Sequence, residues 1–252
     1  MRTGNHFTFR PTVLAWWHMS RAQAQGALLA AFFAVGVVVL VRLLDPAGGI
    51  AAPAIAFALY ACAAAASLYA MAPLGYPRDV YGSPNAVTLF RLALVCSLAV
   101  ALVDQTLLDR AGLAIFAVAA SALALDGLDG WLARHQSVPS AYGARFDMEV
   151  DAGLACMLAL VLLVSERAGP ELLILGFSRY AFLAAGFLLG WLRAPLPDRL
   201  GRKVVCVIQI GALCLLLLPV FTDQTARAIA LGAAALLVWS FGRDIRYLAR
   251  QR

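Results

Sequence analysis

Eight apolar runs alternate with short polar stretches along the 252-residue chain, near residues 24–43, 50–73, 86–104, 111–126, 152–165, 172–192, 204–220 and 228–242. Several approach the ~20 residues that a helix needs to span a bilayer core, and the shorter ones reach it by borrowing flanking residues. In hydrocarbon, every backbone polar group must be satisfied within its own segment. The runs therefore predict helices in spite of their many β-branched residues. Basic residues test the count. With both termini on one side, that side holds 14 Arg and Lys residues and the other only Arg42, Arg110, Arg167 and Arg227, while Arg91 and Arg179 fall inside spans. This is the asymmetry expected of cytoplasmic loops, and an odd number of helices would scramble it. The pattern predicts an all-α polytopic membrane protein of the bacterial inner-membrane type, with both termini in the cytoplasm.

Composition sharpens this picture. The chain is 63% hydrophobic and 13% charged, against about half and about a quarter in soluble domains. The net charge of +6 then reads as topology and attraction to anionic lipid, not as nucleic-acid binding. Cys62, Cys96, Cys156, Cys206 and Cys214 all lie in apolar runs and form no CxxC pair, so neither a disulfide framework nor a zinc site is implied. The first run lacks a convincing cleavage site and further spans follow it, which argues against a signal peptide.

The stretch "LGYPRDVYGSPN", residues 74–85, breaks the series with prolines and glycines. It divides the chain near residue 80. Residues 1–80 form an N-terminal extension, an amphipathic lead and two helices. Residues 81–252 form a six-helix core that holds all the unusual polar positions.

Four aspartates stand out there. Asp126 and Asp129 are three apart and Asp147 and Asp151 four apart, so each pair shares a helix face. The loop 135–146, with Pro139 and Gly143, is short enough to make the two helices antiparallel neighbours. Four carboxylates can then converge at the cytoplasmic ends of two packed helices. Such a cluster is untenable alone at a membrane edge. Two divalent cations would neutralise it, and all-oxygen ligation suits Mg²⁺, Mn²⁺ or Ca²⁺. Paired hard metals are a recurrent device for phosphoryl transfer. Ion pairing of the aspartates with Arg134 and Arg145 is the plainer alternative.

The series Asp129-Gly130, Ala133-Arg134, Gly143, Asp147, Asp151, with Asp126 three residues before it, resembles the signature of the CDP-alcohol phosphotransferases, also called CDP-alcohol phosphatidyltransferases. The resemblance covers residues 81–252. It implies a six-helix catalytic core preceded here by two extra transmembrane helices, with two Mg²⁺ or Mn²⁺ ions held by Asp126, Asp129, Asp147 and Asp151. Asp151 would also be the general base. Gly130 and Ala133 would admit a nucleotide close to the helix backbone, Arg134 would grip the diphosphate, and Ser140 and Gly143 would enclose the cytidine. In "SPNAVTLFR", residues 83–91, Asn85 and Thr88 would complete the nucleotide site. Arg91, about one turn further on, reads equally well as a snorkelling arginine. The resemblance further implies CDP-diacylglycerol as donor, a polar alcohol as acceptor, CMP as leaving group, membrane lipid as surroundings and a homodimer.

Arg179 lies within a span and is a functional candidate by default. With Arg193, Arg202 and Lys203 it would build a cationic pocket suited to an acceptor that carries a phosphate. The pattern is similar to that of phosphatidylglycerophosphate synthases, which points to glycerol 3-phosphate. Gly201-Arg202-Lys203 stands where those enzymes have a tighter Gly-Lys pair. Inositol phosphate, phosphatidylglycerol, serine or a lipid alcohol are the alternative acceptors. A cation transporter built on the aspartates is a more distant reading, since transporters tend to place such groups at mid-membrane in broken helices.

Overall fold

The structure, a computed structural model, describes residues 20–135, 140–194 and 200–251. The chain folds into helices α1 (Arg21–Leu44), α2 (Ala51–Met71), α3 (Ser83–Ser97), α4 (Val100–Val103), α5 (Leu107–His135), α6 (Ala141–Val164), α7 (Glu171–Leu188), α8 (Leu200–Leu215) and α9 (Asp223–Ala249). A short 3₁₀ turn, Gly190–Arg193, follows α7, and no strand occurs among the described residues. Short α4 continues the path of α3, so eight long rods match the eight apolar runs. Among the described residues, six of them, counting α3 and α4 as one, are long and apolar enough to cross a membrane. Of the other two, α6 carries Asp147, Glu149 and Asp151 in its first half, and α8 is described over 16 residues. The protein is an all-α polytopic membrane protein.

Local signals fix the helix ends. At α1, Ser20 Oγ accepts from the Gln23 amide at 3.1 Å and Gln23 Oε1 accepts from the Ser20 amide at 3.0 Å. This reciprocal pair satisfies two otherwise orphaned donors. Pro84 lies in the first turn of α3, where its missing N–H costs nothing. Gly82, just before it, has φ +81°, a conformation that penalises any side chain. Inside α5, Ala111 leaves helical geometry (φ −130°, ψ 22°).

One expectation needs correction. The aspartates do not sit at helix ends. α5 runs through to His135 and α6 begins at Ala141. Asp126 is therefore nine residues inside α5, and Asp147 and Asp151 are six and ten residues into α6, about 9–15 Å from those ends at the helical rise. Apolar runs mark where helices meet lipid. A helix held by its neighbours continues past that boundary through polar residues.

The centre of the bundle is α3. Over the stretch that could span a membrane, α3 and α4 are 72% buried, against 33% or less for the other five spans. A helix apolar on all sides belongs inside. Helices α1, α2, α5 and α6 pack around it, and α7, α8 and α9 close the far side of α6. Outward-facing Leu28, Phe32 and Val35 on α1, Leu113 on α5 and Phe187 on α7 are exposed, as expected of faces that meet acyl chains instead of water. Helices α6 and α7 approach closely at Gly176, where an added Cβ would lie 2.5 Å from Ala159 Cβ. Small residues allow such approaches between membrane helices. Gly176→Ala is expected to force the two helices apart and to lower stability by about 1–3 kcal/mol. Thermal unfolding in detergent would read this as a lowered midpoint, and an unchanged midpoint would show that α7 shifts freely.

Candidate active site

Helices α3, α5 and α6 bring one cation and three carboxylates to a single point. Arg91 on α3 is 1% exposed. Its Nη2 lies 3.1 Å from Asp126 Oδ1, its Nη1 donates to Asp147 Oδ1 at 2.5 Å, and its Nη2 also donates to Asp151 Oδ1. Its Nε donates to the Ala122 carbonyl at 3.1 Å. Arginine suits this position because its planar fork can serve several carboxylates at once. The three carboxylates are 27–35% exposed. The arginine is thus the buried floor of the cluster and the carboxylates form its open rim.

Asp126, Asp147 and Asp151 each offer an oxygen, all within 4.8 Å of one another. A hard cation held at ~2.1–2.4 Å sets opposed ligand oxygens about 4.2–4.8 Å apart, so the spacing fits an ion that touches all three. The charge fits as well. Three carboxylates against one guanidinium leave −2. The donor set is all oxygen, which selects Mg²⁺, Mn²⁺ or Ca²⁺ over softer metals. Asp129, Gly130, Ala133 and Arg134 lie on the last turns of α5, with their side chains outside the described residues. The backbone places Asp129 three residues beyond Asp126, on the same face.

Beside the rim, the start of α6 presses on the start of α3. Ser140 Oγ accepts from the Gly143 amide at 2.9 Å and caps α6. A Cβ on Gly143 would lie 2.9 Å from Asn85 Oδ1, so only glycine allows this approach without a shift. Asn85 is buried and its Nδ2 donates to Tyr76 Oη at 3.0 Å and to the Tyr81 carbonyl at 2.5 Å. Thr88 Oγ1 donates back to the Pro84 carbonyl at 3.0 Å. The Tyr81 and Tyr142 hydroxyls lie 3.2 Å apart. Burial pushes the Tyr76 and Tyr81 hydroxyls above the ordinary tyrosine value, so both stay protonated and able to donate.

Residues 81–239 match the CDP-alcohol phosphatidyltransferase family. The chain belongs to that family. No curated protein and no solved structure matches the chain significantly. The matched stretch begins at Tyr81 and contains the carboxylates, Arg91, Asn85 and Gly143.

In this member of the CDP-alcohol phosphatidyltransferase family, a cavity adjoins the carboxylates. It has a volume of about 380 Å³, lies among α6, α7, α8 and α9, and is lined by Asp151, Arg179, Arg202 and Asp244 among others. Of the four basic residues expected to form one pocket, it brings together Arg179 and Arg202. Lys203 is exposed and is not part of the lining. Arg193 lies in the 3₁₀ turn, with its side chain outside the described residues. Both lining arginines already have acidic partners. Arg179 Nη2 donates to Glu149 Oε1 at 2.8 Å, and Arg202 Nε donates to Asp244 Oδ2 at 3.1 Å.

Sequence reading left the role of Arg91 open and passed over the tyrosines, Glu149 and Asp244. Arg91 carried a usable signal. It lies three residues after Thr88, on the same face of α3, and an arginine in a span calls for a polar or acidic partner. The tyrosine cluster and the Arg202–Asp244 pair join residues up to 61 positions apart, and no local pattern announces them.

Proposed function

We propose that the protein is a phosphatidyltransferase that moves the phosphatidyl group of CDP-diacylglycerol to a polar alcohol and releases CMP. The observation that supports this best is the gathering of Asp126, Asp147 and Asp151 over buried Arg91, inside the stretch that matches the family. Asp126, Asp129, Asp147 and Asp151 would hold two Mg²⁺ or Mn²⁺ ions. Bound there, the ions would neutralise charge on the diphosphate and polarise the acceptor hydroxyl.

The chain's own groups account for the remaining work. Asp151 lines both the carboxylate rim and the α6–α9 cavity, so it faces an acceptor entering from that cavity. As general base it takes the proton of the acceptor hydroxyl while that oxygen bonds to the phosphatidyl phosphorus. The bond from phosphorus to the CMP oxygen breaks, and CMP leaves with the electron pair. Arg91 orients Asp147 and Asp151 through charge-assisted hydrogen bonds. Asn85, Thr88, Ser140 and Gly143 form the nucleotide side, with Gly130, Ala133 and Arg134 along α5. Arg179, Arg202 and, by resemblance, Arg193 and Lys203 belong to the acceptor side, for which the resemblance favours glycerol 3-phosphate. Residues 81–252 are the catalytic core and residues 1–80 an extension. The basic-residue asymmetry supports a site and both termini at the cytoplasmic face, and the resemblance supports a homodimer.

Purified protein is expected to release CMP from CDP-diacylglycerol when Mg²⁺ and a suitable alcohol are both present. Chelation with EDTA should stop the release, and Mg²⁺ or Mn²⁺ should restore it. Release that persists in EDTA would remove the metals from the mechanism. Absence of CMP with every acceptor would overturn the phosphatidyltransferase reading itself.

A further inference from the structure

Another cavity, of about 400 Å³, runs along the opposite side of α6, where α2 and α3 and Tyr180 of α7 complete its walls. Arg145, Glu149 and Gly153 line it, whereas Asp151 lines the α6–α9 cavity. Arg145 and Asp147 are two residues apart, about 200° around the helix. On α6 the lining extends from Tyr142 to Met157, about 22 Å at the helical rise. Spread over that length, the volume averages about 18 Å² in cross-section. A helix, ~10 Å across, cannot enter so narrow a slot. A single hydrocarbon chain can.

Small residues leave this space. Ala63, Ala66 and Ala70 line it on the α2 side and Gly153 on the α6 side. A Cβ added to Gly153 would meet nothing within 4 Å. Buried Leu92 and Val95 of α3 form the floor. At the edges, Leu59 and Tyr180 are 43% and 38% exposed, so the cavity is a groove open to its surroundings. In a bilayer those surroundings are acyl chains. A bare apolar wall forfeits its dispersion contacts, and an entering chain restores them. One leaflet of hydrocarbon is ~15 Å deep, so the groove takes the chain and reaches the headgroup.

The groups near the start of α6 select the headgroup. Arg145 and Glu149 are the charged lining residues. Glu149 is already neutralised, since its Oε1 accepts from Arg179 Nη2 at 2.8 Å. Arg145 is exposed and makes no ion pair among the described residues, which leaves the groove one surplus positive charge. The Tyr180 hydroxyl has no hydrogen-bond partner among the described residues. Tyr180 follows Arg179, the partner of Glu149, so it stands about 6 Å deeper than Arg145 at the helical rise. A cation first and a hydroxyl donor below it match the phosphate and the ester carbonyl of a phospholipid.

We propose that the groove holds one acyl chain of an anionic phospholipid, with the lipid phosphate on Arg145 and Tyr180 donating to an ester carbonyl. This lipid is not the reacting donor, whose diphosphate belongs on the far side of α6 beside Asp147. It is a resident lipid that joins α2 to the core. Its binding requires no turnover, so it stands or falls apart from the phosphatidyltransferase reading.

The test titrates delipidated full-length protein in non-ionic detergent with phosphatidylglycerol or with phosphatidylcholine of the same chains. The thermal midpoint is followed. Each lipid should raise it saturably, by mass action on the folded state. Phosphatidylglycerol should do so at about 5-fold lower concentration, the share of one basic residue at a headgroup. Arg145→Gln should erase that 5-fold advantage. Gly153→Leu should fill the groove and abolish the rise with either lipid, while its lipid-free midpoint stays at or above that of wild type. Equal affinity for the two lipids overturns the proposal, as does a rise that survives Gly153→Leu. A lipid-free dimer that Gly153→Leu splits into monomers would give the groove to a second copy of the chain and overturn it as well. If Gly153→Leu does not fold, Arg145→Gln, at an exposed position, decides alone.

Discussion

Replacing Arg91 with methionine is expected to destabilise the protein by about 3–5 kcal/mol, the usual penalty for stripping one partner from a buried ion pair. Methionine nearly fills the space, so the loss is one of charge. Arg91 is 1% exposed and serves Asp126, Asp147 and Asp151 together. Without it, the −2 of the described cluster becomes −3, and three carboxylates repel at contact distance. The same change should raise the demand for a counter-ion. Added Mg²⁺ should therefore lift the thermal midpoint of Arg91→Met more than that of wild type, because an ion that binds only the folded state stabilises it by mass action. Turnover should fall as well, since Asp151 loses the donor that orients it. Unfolding in detergent with and without Mg²⁺ checks the first two points. An unchanged midpoint would mean that the carboxylates are held by something other than Arg91.

Asp151→Asn separates chemistry from binding. Asparagine keeps the size of the side chain and an oxygen that can accept from Arg91, and Asp126 and Asp147 keep their own contacts with that arginine. The fold should survive. The amide cannot take a proton from the acceptor hydroxyl, so kcat is expected to drop about 10²- to 10⁴-fold, the range for losing a general base. Affinity for CDP-diacylglycerol should stay within about ten-fold of wild type. CMP release at saturating substrates, beside binding in mixed micelles, distinguishes the two effects. Near-normal turnover would reassign the base.

Much of the fold and part of the site are legible in the sequence. The apolar runs locate eight long helices because hydrophobicity reports which segments can leave water. The three- and four-residue spacings of the aspartates locate shared faces because helical periodicity is fixed. Helix ends are less legible. Residues 127–135 and 141–151 are too polar to read as span, yet they remain helical because α5 and α6 are held by tertiary neighbours. Partner choice is the least legible. Arg179 and Arg202 read as spare cations until the fold sets Glu149 and Asp244 against them. The sequence separations are 30 and 42 residues, and only folding brings them into register.

The N-terminal hairpin bears on how this enzyme can be taken apart. Gln25 Oε1, on α1, accepts from the Tyr81 amide at 3.1 Å, and Gln23 Nε2 donates to the Leu68 carbonyl on α2 at 3.3 Å. Tyr81 in turn meets Tyr142, one residue before Gly143. A cut at the apparent boundary near residue 80 would strip the cover from an amide at the threshold of the proposed nucleotide site. A chimera with another family member is better joined ahead of Ser20, so that α1 and α2 travel with the catalytic helices as one inheritable unit.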